Sequence, residues 1–73
     1  MKIINKKSNK ALIYYNNEFY VVSQANNQFT NYDTETLIFR SDAAGNVSDY
    51  IEVGGGRGLT LDEVLNNMKE HLH

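Results

Sequence analysis

The chain has no cysteine, no proline, no tryptophan and no long apolar run. Without cysteine it forms no disulfide and no thiolate metal site. No stretch approaches the roughly 18 consecutive apolar residues of a membrane-spanning helix. The opening segment Met1-Lys2-Ile3-Ile4-Asn5-Lys6 lacks the apolar core and cleavage pattern of a secretory leader. The expected location is therefore the cytoplasm. Histidine is scarce, and His71 and His73 both fall in the last three positions. No metal site is expected from two histidines at a chain end. Serine, histidine and aspartate never fall in an arrangement that suggests a triad, and no acid pair stands where a pocket is expected. The expectation is a protein without catalytic residues, metal or cofactor.

Seventy-three residues, 41% of them apolar and 22% charged, suit one small folded domain rather than a disordered tail. Folding at this size buries only about 60% of the surface an unfolded chain exposes. Domains so small often lean on a disulfide, a metal or a partner. With disulfides excluded, a partner protein or a second copy of the chain is the expected support. Ten asparagines give the composition its bias, and asparagine tolerates turns and left-handed backbone.

Charge is uneven. Lys2, Lys6, Lys7 and Lys10 place four of the seven basic residues in the first ten positions. The other sixty-three residues hold three basic and nine acidic groups. A basic end on an acidic body is one signature of a nucleic-acid arm. The net charge of −2 opposes phosphate, so Lys6 to Lys10 reads as a solvated hairpin turn and nucleic acid is not the expected partner.

The pattern predicts an α+β domain: an antiparallel sheet of four to five strands with one C-terminal helix packed on one face. Strands are expected at about 1–5, 11–15, 18–23, 34–40 and 47–53. Asn16-Asn17 between two aromatic and β-branched runs suits a two-residue hairpin turn with positive φ. That turn pairs Tyr15 with Glu18, Tyr14 with Phe19, Ile13 with Tyr20 and Leu12 with Val21. Leu12, Tyr14, Phe19 and Val21 then share one face, and Ile13, Tyr15, Tyr20 and Val22 the other. Both faces are apolar, which is more than one helix can cover. Residues 23–33 read as a polar loop. Leu37 and Phe39 share a strand face. In Ser41 to Asn46, Asp42 accepts backbone N–H bonds and Gly45 takes a left-handed position. Leu61, Val64, Leu65, Met68 and Leu72 form one helical stripe, so the helix is expected over 60–71. Thr60 and Glu63 make a capping box.

Four features invite a functional reading. The loop Gly54 to Gly58 joins a strand to a helix, a context in which backbone amides bind anions. An anion would meet Gly55, Gly56 and Gly58, with Arg57 as countercharge. The loop lacks a Gly-Lys-Ser/Thr ending and a Gly-x-Gly-x-x-Gly fingerprint, and Asp62 and Glu63 would repel an anion. A plain connector explains it better. Asp42, Asn46 and Asp49 lack the ligand spacing of a calcium loop and fit turn chemistry. His71 and His73 fit a fraying chain end. The tyrosines are in excess of what so small a core needs, and tyrosine gives large amphipathic contact area. Tyr14, Tyr15, Tyr20 and Tyr50 are the candidate partner-contact residues; the alternatives are half-buried sheet tyrosines with hydroxyls in water and, against the acidic body of the chain, stacking on single-stranded nucleic acid.

The run Glu35-Thr36-Leu37-Ile38-Phe39, then Asp42-Ala43-Ala44-Gly45-Asn46-Val47, then a helix opening with Leu61-Asp62-Glu63, resembles a pattern in small bacteriophage-encoded accessory proteins. The likeness covers residues 33–69, and the Gly54-Gly55-Gly56 run departs from it. It implies an accessory protein that binds and disables a host protein, such as a defence factor. The expectation is thus a non-enzymatic binding protein, with a homodimer as a further expectation. The alternative is a small anionic-ligand or nucleotide-binding protein using the Gly54 to Gly58 loop.

Overall fold

The computed structural model describes residues 1–25, 34–51 and 58–72. Five strands, β1 (Lys2–Lys6), β2 (Lys10–Tyr15), β3 (Glu18–Ala25), β4 (Glu35–Ser41) and β5 (Val47–Ile51), precede two short helices. These are α1 (Leu61–Asn66) and α2 (Met68–His71). The strands lie in chain order, β1-β2-β3-β4-β5, and every neighbouring pair is antiparallel. The architecture is an α+β meander with its helical layer on one face.

Local chemistry sets the register. Asn16 and Asn17 both take positive φ, 50° and 66°, the twist a two-residue hairpin turn needs. β2 and β3 accordingly pair Tyr15 with Glu18, Tyr14 with Phe19, Ile13 with Tyr20 and Leu12 with Val21. In the β4–β5 turn the Ala44 and Asn46 amides each donate to Asp42 Oδ1 at 2.9 Å, and Asn46 Nδ2 donates to Oδ2 at 2.9 Å. Gly45, at φ 90°, takes the left-handed position.

Strands β1, β2 and β4 fall within one residue of the sequence reading, and two elements depart from it further. The polar segment from Ser23 does not leave the sheet at once: β3 runs on to Ala25, pairing Ser23, Gln24 and Ala25 with Leu37, Thr36 and Glu35. Backbone pairing outweighs the weak strand propensity of Gln24, whose side chain has its own use below. The single helix expected over 60–71 is two, broken at Asn67 (φ −123°, ψ 33°). The Asn67 amide donates to Val64 O and its Nδ2 donates to Glu63 O, both at 3.1 Å. An asparagine side chain competing for a helical carbonyl breaks the ladder there. Residues 26–33 and 52–57, which hold the rest of the expected loop and the end of the last expected strand, lie outside the described residues.

The helical stripe survives the break. Leu61, Val64, Leu65, Met68 and Leu72 are all buried, in one cluster with Ala11, Ile13, Tyr20, Val22 and Ile38 of the sheet. Burial of each large aliphatic side chain contributes about 1.5–3 kcal/mol. Polar contacts pin the entry to this layer. Gln24 Oε1 accepts from the Leu61 amide, Thr36 Oγ1 donates to Leu59 O, and the Gly58 amide donates to Thr34 O, each at 2.7 Å. Thr60 and Glu63 close the capping box. Lys6 of the edge strand reaches Asp62 at 2.8 Å.

Candidate functional site

Helices cover the face that carries Ile13, Tyr20, Val22 and Ile38. The opposite face has no helical layer among the described residues. Strand pairing lines up its side chains in rows. One row runs Asn5, Leu12, Val21, Phe39, Tyr50 across all five strands. A second runs Lys2, Tyr14, Phe19, Ser41, Val47. Tyr14 and Phe19 meet with ring centroids 4.9 Å apart and tilted by 53°, and Phe39 and Tyr50 at 5.6 Å and 56°. Tilted pairs of this kind are favourable beyond their buried area. They also hold the rings in place on the surface.

The face is graded in exposure. Val21 is 4% exposed although it lies outside the helix-side cluster, whereas Tyr50 at the far edge is 54% exposed. Leu12, Tyr14, Phe19, Leu37 and Phe39 are half-buried. The β4–β5 turn leans over the row: a β-carbon placed on Gly45 would stand 3.9 Å from Leu12 Cδ2. Between this turn and the β1–β2 hairpin lies an open pocket of about 160 Å³. Leu12 and Val21 line it together with Ala44 and Gly45, and Asn5, Lys7 and Lys10 complete the lining. On the helical side a wider groove of about 440 Å³ follows the break between α1 and α2, bordered by Met1, Tyr15, Leu65 and Met68.

The four tyrosines singled out from sequence therefore do not form one site. Tyr14 and Tyr50 stand on the helix-free face. Tyr15 packs beside the helix-side core and borders the groove there. Tyr20 is a core residue, 5% exposed, whose hydroxyl donates to Glu18 Oε2 at 2.6 Å. Burial first, and then the neighbouring Glu18 carboxylate, raise its pKa above 10.0. A side chain so placed offers no contact surface to a partner. Alternation along the strand decides this, since Ile13, Tyr15 and Tyr20 share the side that the helices occupy.

Of the anion-binding candidates, Gly55, Gly56 and Arg57 lie outside the described residues. Gly58 is described, at φ 78°, and its amide is already bonded to Thr34 O. The Leu61 and Glu63 amides are bonded too, by Gln24 and Thr60. The described part of that loop is thus occupied in fastening the helix to the sheet. Asp42 is likewise spent on its turn. The Asn46 amide, then the Asn46 side chain and the Ala44 and Gly45 amides, hold its pKa below 3.8. His71 Nδ1 is buried without a partner among the described residues. Among those residues, no three His, Asp or Glu side chains gather as a metal would need.

Sequence reasoning missed Lys7 and Lys10 as site residues, because a lysine-rich turn reads as solvated wherever it stands. It also left Leu37 and Phe39 unassigned to either face of the hairpin. The pairing of β3 with β4 joins them to Tyr14 and Phe19.

Fold and surface together define a class: a small α+β domain, helices on one side of a meander and an aromatic, half-buried sheet face on the other. Comparison with protein families, characterised proteins and solved structures gave no match to this chain. Among the described residues, no helix is long and apolar enough to cross a membrane.

Proposed function

We propose that this is a non-enzymatic binding protein whose helix-free sheet face contacts another protein. The observation that supports this reading is the row Leu12, Val21, Phe39, Tyr50. Along it exposure rises from 4% at Val21 to 54% at Tyr50, and no helix lies above it among the described residues. Aromatic rings held by tilted neighbours give contact area at small entropic cost, as protein interfaces favour. The likeness to small bacteriophage accessory proteins makes a host protein, such as a defence factor, the proposed partner.

The test compares the parent with Tyr50→Ser, a substitution at an exposed position. The parent immobilised in bacterial lysate retains one partner in stoichiometric amount, and Tyr50→Ser with an unchanged melting curve loses it. Equal retention by both proteins removes the face from the interaction. Turnover of nucleotides by the parent, with no partner retained, overturns the reading.

A second reading is a homodimer joined through β5. Val47 and Tyr50 on this edge strand are 51% and 54% exposed, and residues 47–51 hold neither lysine nor proline to discourage pairing. β1, the opposite edge, carries Lys2 and Lys6 and a register shift between Ile3 and Asn5. An anionic ligand on the Gly54 to Gly58 loop has less support, because the Gly58 amide is already taken.

A further inference from the structure

We infer that the pocket between the β1–β2 hairpin and the β4–β5 turn receives an apolar side chain from an acidic segment of the partner protein, with Lys7 and Lys10 meeting its carboxylates. This rests on the reading of the helix-free face as a protein-binding surface and gives the partner its chemistry. Three observations converge. The pocket, at about 160 Å³, is the size of one or two side chains, and Leu12 and Val21 give it apolar walls. Lys7 and Lys10 stand on its rim, and Lys2 lies on the same face opposite Tyr14. None of these three ammonium groups forms an ion pair with a carboxylate among the described residues, whereas Lys6, on the helical side, is paired with Asp62.

Among the described residues, charge is unevenly divided between the two faces. The exposed acids of the helical layer, Asp62, Glu63 and Glu70, are on the far side from the pocket. On the near side, Glu35 shares the strand face of Leu37 and Phe39. The Asp42 carboxylate is there too, but it accepts three hydrogen bonds inside its own turn. Lysines beside an apolar floor complement an acidic, apolar peptide, and they disfavour a basic one through the cost of like charges brought together. A nucleic acid strand would also meet lysines and aromatic rings here, but a side-chain-sized pocket walled by Leu12 and Val21 serves an aliphatic group better than a base.

The test is selection of displayed random peptides on the immobilised full chain, followed by binding of the best peptide to the Lys7→Glu/Lys10→Glu variant. Both lysines are exposed, so the variant folds, which its melting curve checks. The selected peptides should carry Asp or Glu around Leu, Ile, Val or Phe. Their affinity should fall by about tenfold or more in the double variant and fall with added salt. Amide shifts on binding should centre on Lys7, Lys10, Ala44 and Gly45.

Peptides of no charge preference, or shifts confined to Phe39 and Tyr50, overturn the pocket inference and leave the protein-binding face standing. Tighter binding of oligo(dT) than of any selected peptide overturns it in favour of nucleic acid. A doubled mass that hides the pocket from peptide overturns it in favour of a second copy. If no peptide binds and the parent retains no partner from lysate, the underlying reading fails as well.

Discussion

Asp42 shows how one exposed side chain organises a loop. Its carboxylate bonds to two backbone amides and one side-chain amide, and it holds the turn that closes over Leu12. Because the folded state keeps the carboxylate ionised to lower pH than its ordinary value of 3.8, folding favours the charged form. Its contribution is then fully present above pH 3.8 and is lost as the pH falls through the lower folded value. Asp42→Asn should be less stable than the parent at neutral pH, and the gap should close in acid. Urea unfolding at a series of pH values down to acid checks this. A gap that widens in acid would give the opposite sign of linkage and rule out the account. Gln24 acts the same way from within a strand, its Oε1 closing the Leu61 amide at 2.7 Å.

At the scale of elements, the β2–β3 hairpin and the helical layer carry the fold, and each has a direct test. Asn16 and Asn17 sit in the left-handed region, where a β-branched residue costs about 1–2 kcal/mol and glycine costs little. Asn16→Val should lower stability by about that amount, and Asn16→Gly should stay near the parent. Equal loss in both variants would mean that side-chain contacts, rather than backbone conformation, matter at this turn. In the helical layer, Met68 is 3% exposed and belongs to the core that joins both short helices to the sheet. Met68→Asp puts an unpaired charge there and should cost at least about 3 kcal/mol. A variant that melts like the parent would show that α2 does not pack as described. The break at Asn67 divides the helix without dividing the stripe, so stability in this layer comes from burial more than from helix propensity.

For the whole molecule, the two sides of the sheet have different fates. Among the described residues, one is closed by helices, and the other carries aromatic rings, three lysines and Glu35. A small domain without disulfides gains from any partner that binds only its folded form. If copies pair through β5, light scattering should give a mass that rises from one chain to two with concentration. A single-chain mass throughout would end the homodimer reading and leave the face to a foreign protein. The melting temperature gives a second readout, since only a self-associating protein shows a rise with its own concentration.

The pairing of β3 with β4 was not legible in local sequence. The strands themselves, the register of the β2–β3 hairpin, the chemistry of both turns and the helical stripe were. Their causes are short-range: positive φ at two asparagines, an aspartate followed by glycine, apolar residues at helical spacing. The helix break was not legible in the sequence, whose pattern predicts one helix over 60–71: the apolar stripe runs past Asn67 unbroken, and local pattern does not say which carbonyl its side chain will take. The candidate site was not legible. Alternation divides Tyr14 from Tyr15, but sequence cannot say which side the helix will cover. That depends on which face of the sheet receives α1, and Gln24 and Thr36 fasten its entry. Packing alone turned Tyr20 into core, left Tyr14 and Tyr50 on the open face, and brought the lysine-rich hairpin beside Leu12 and Gly45. Periodicity fixes which residues travel together, and only the long-range crossing fixes whether they end in the core or at the surface.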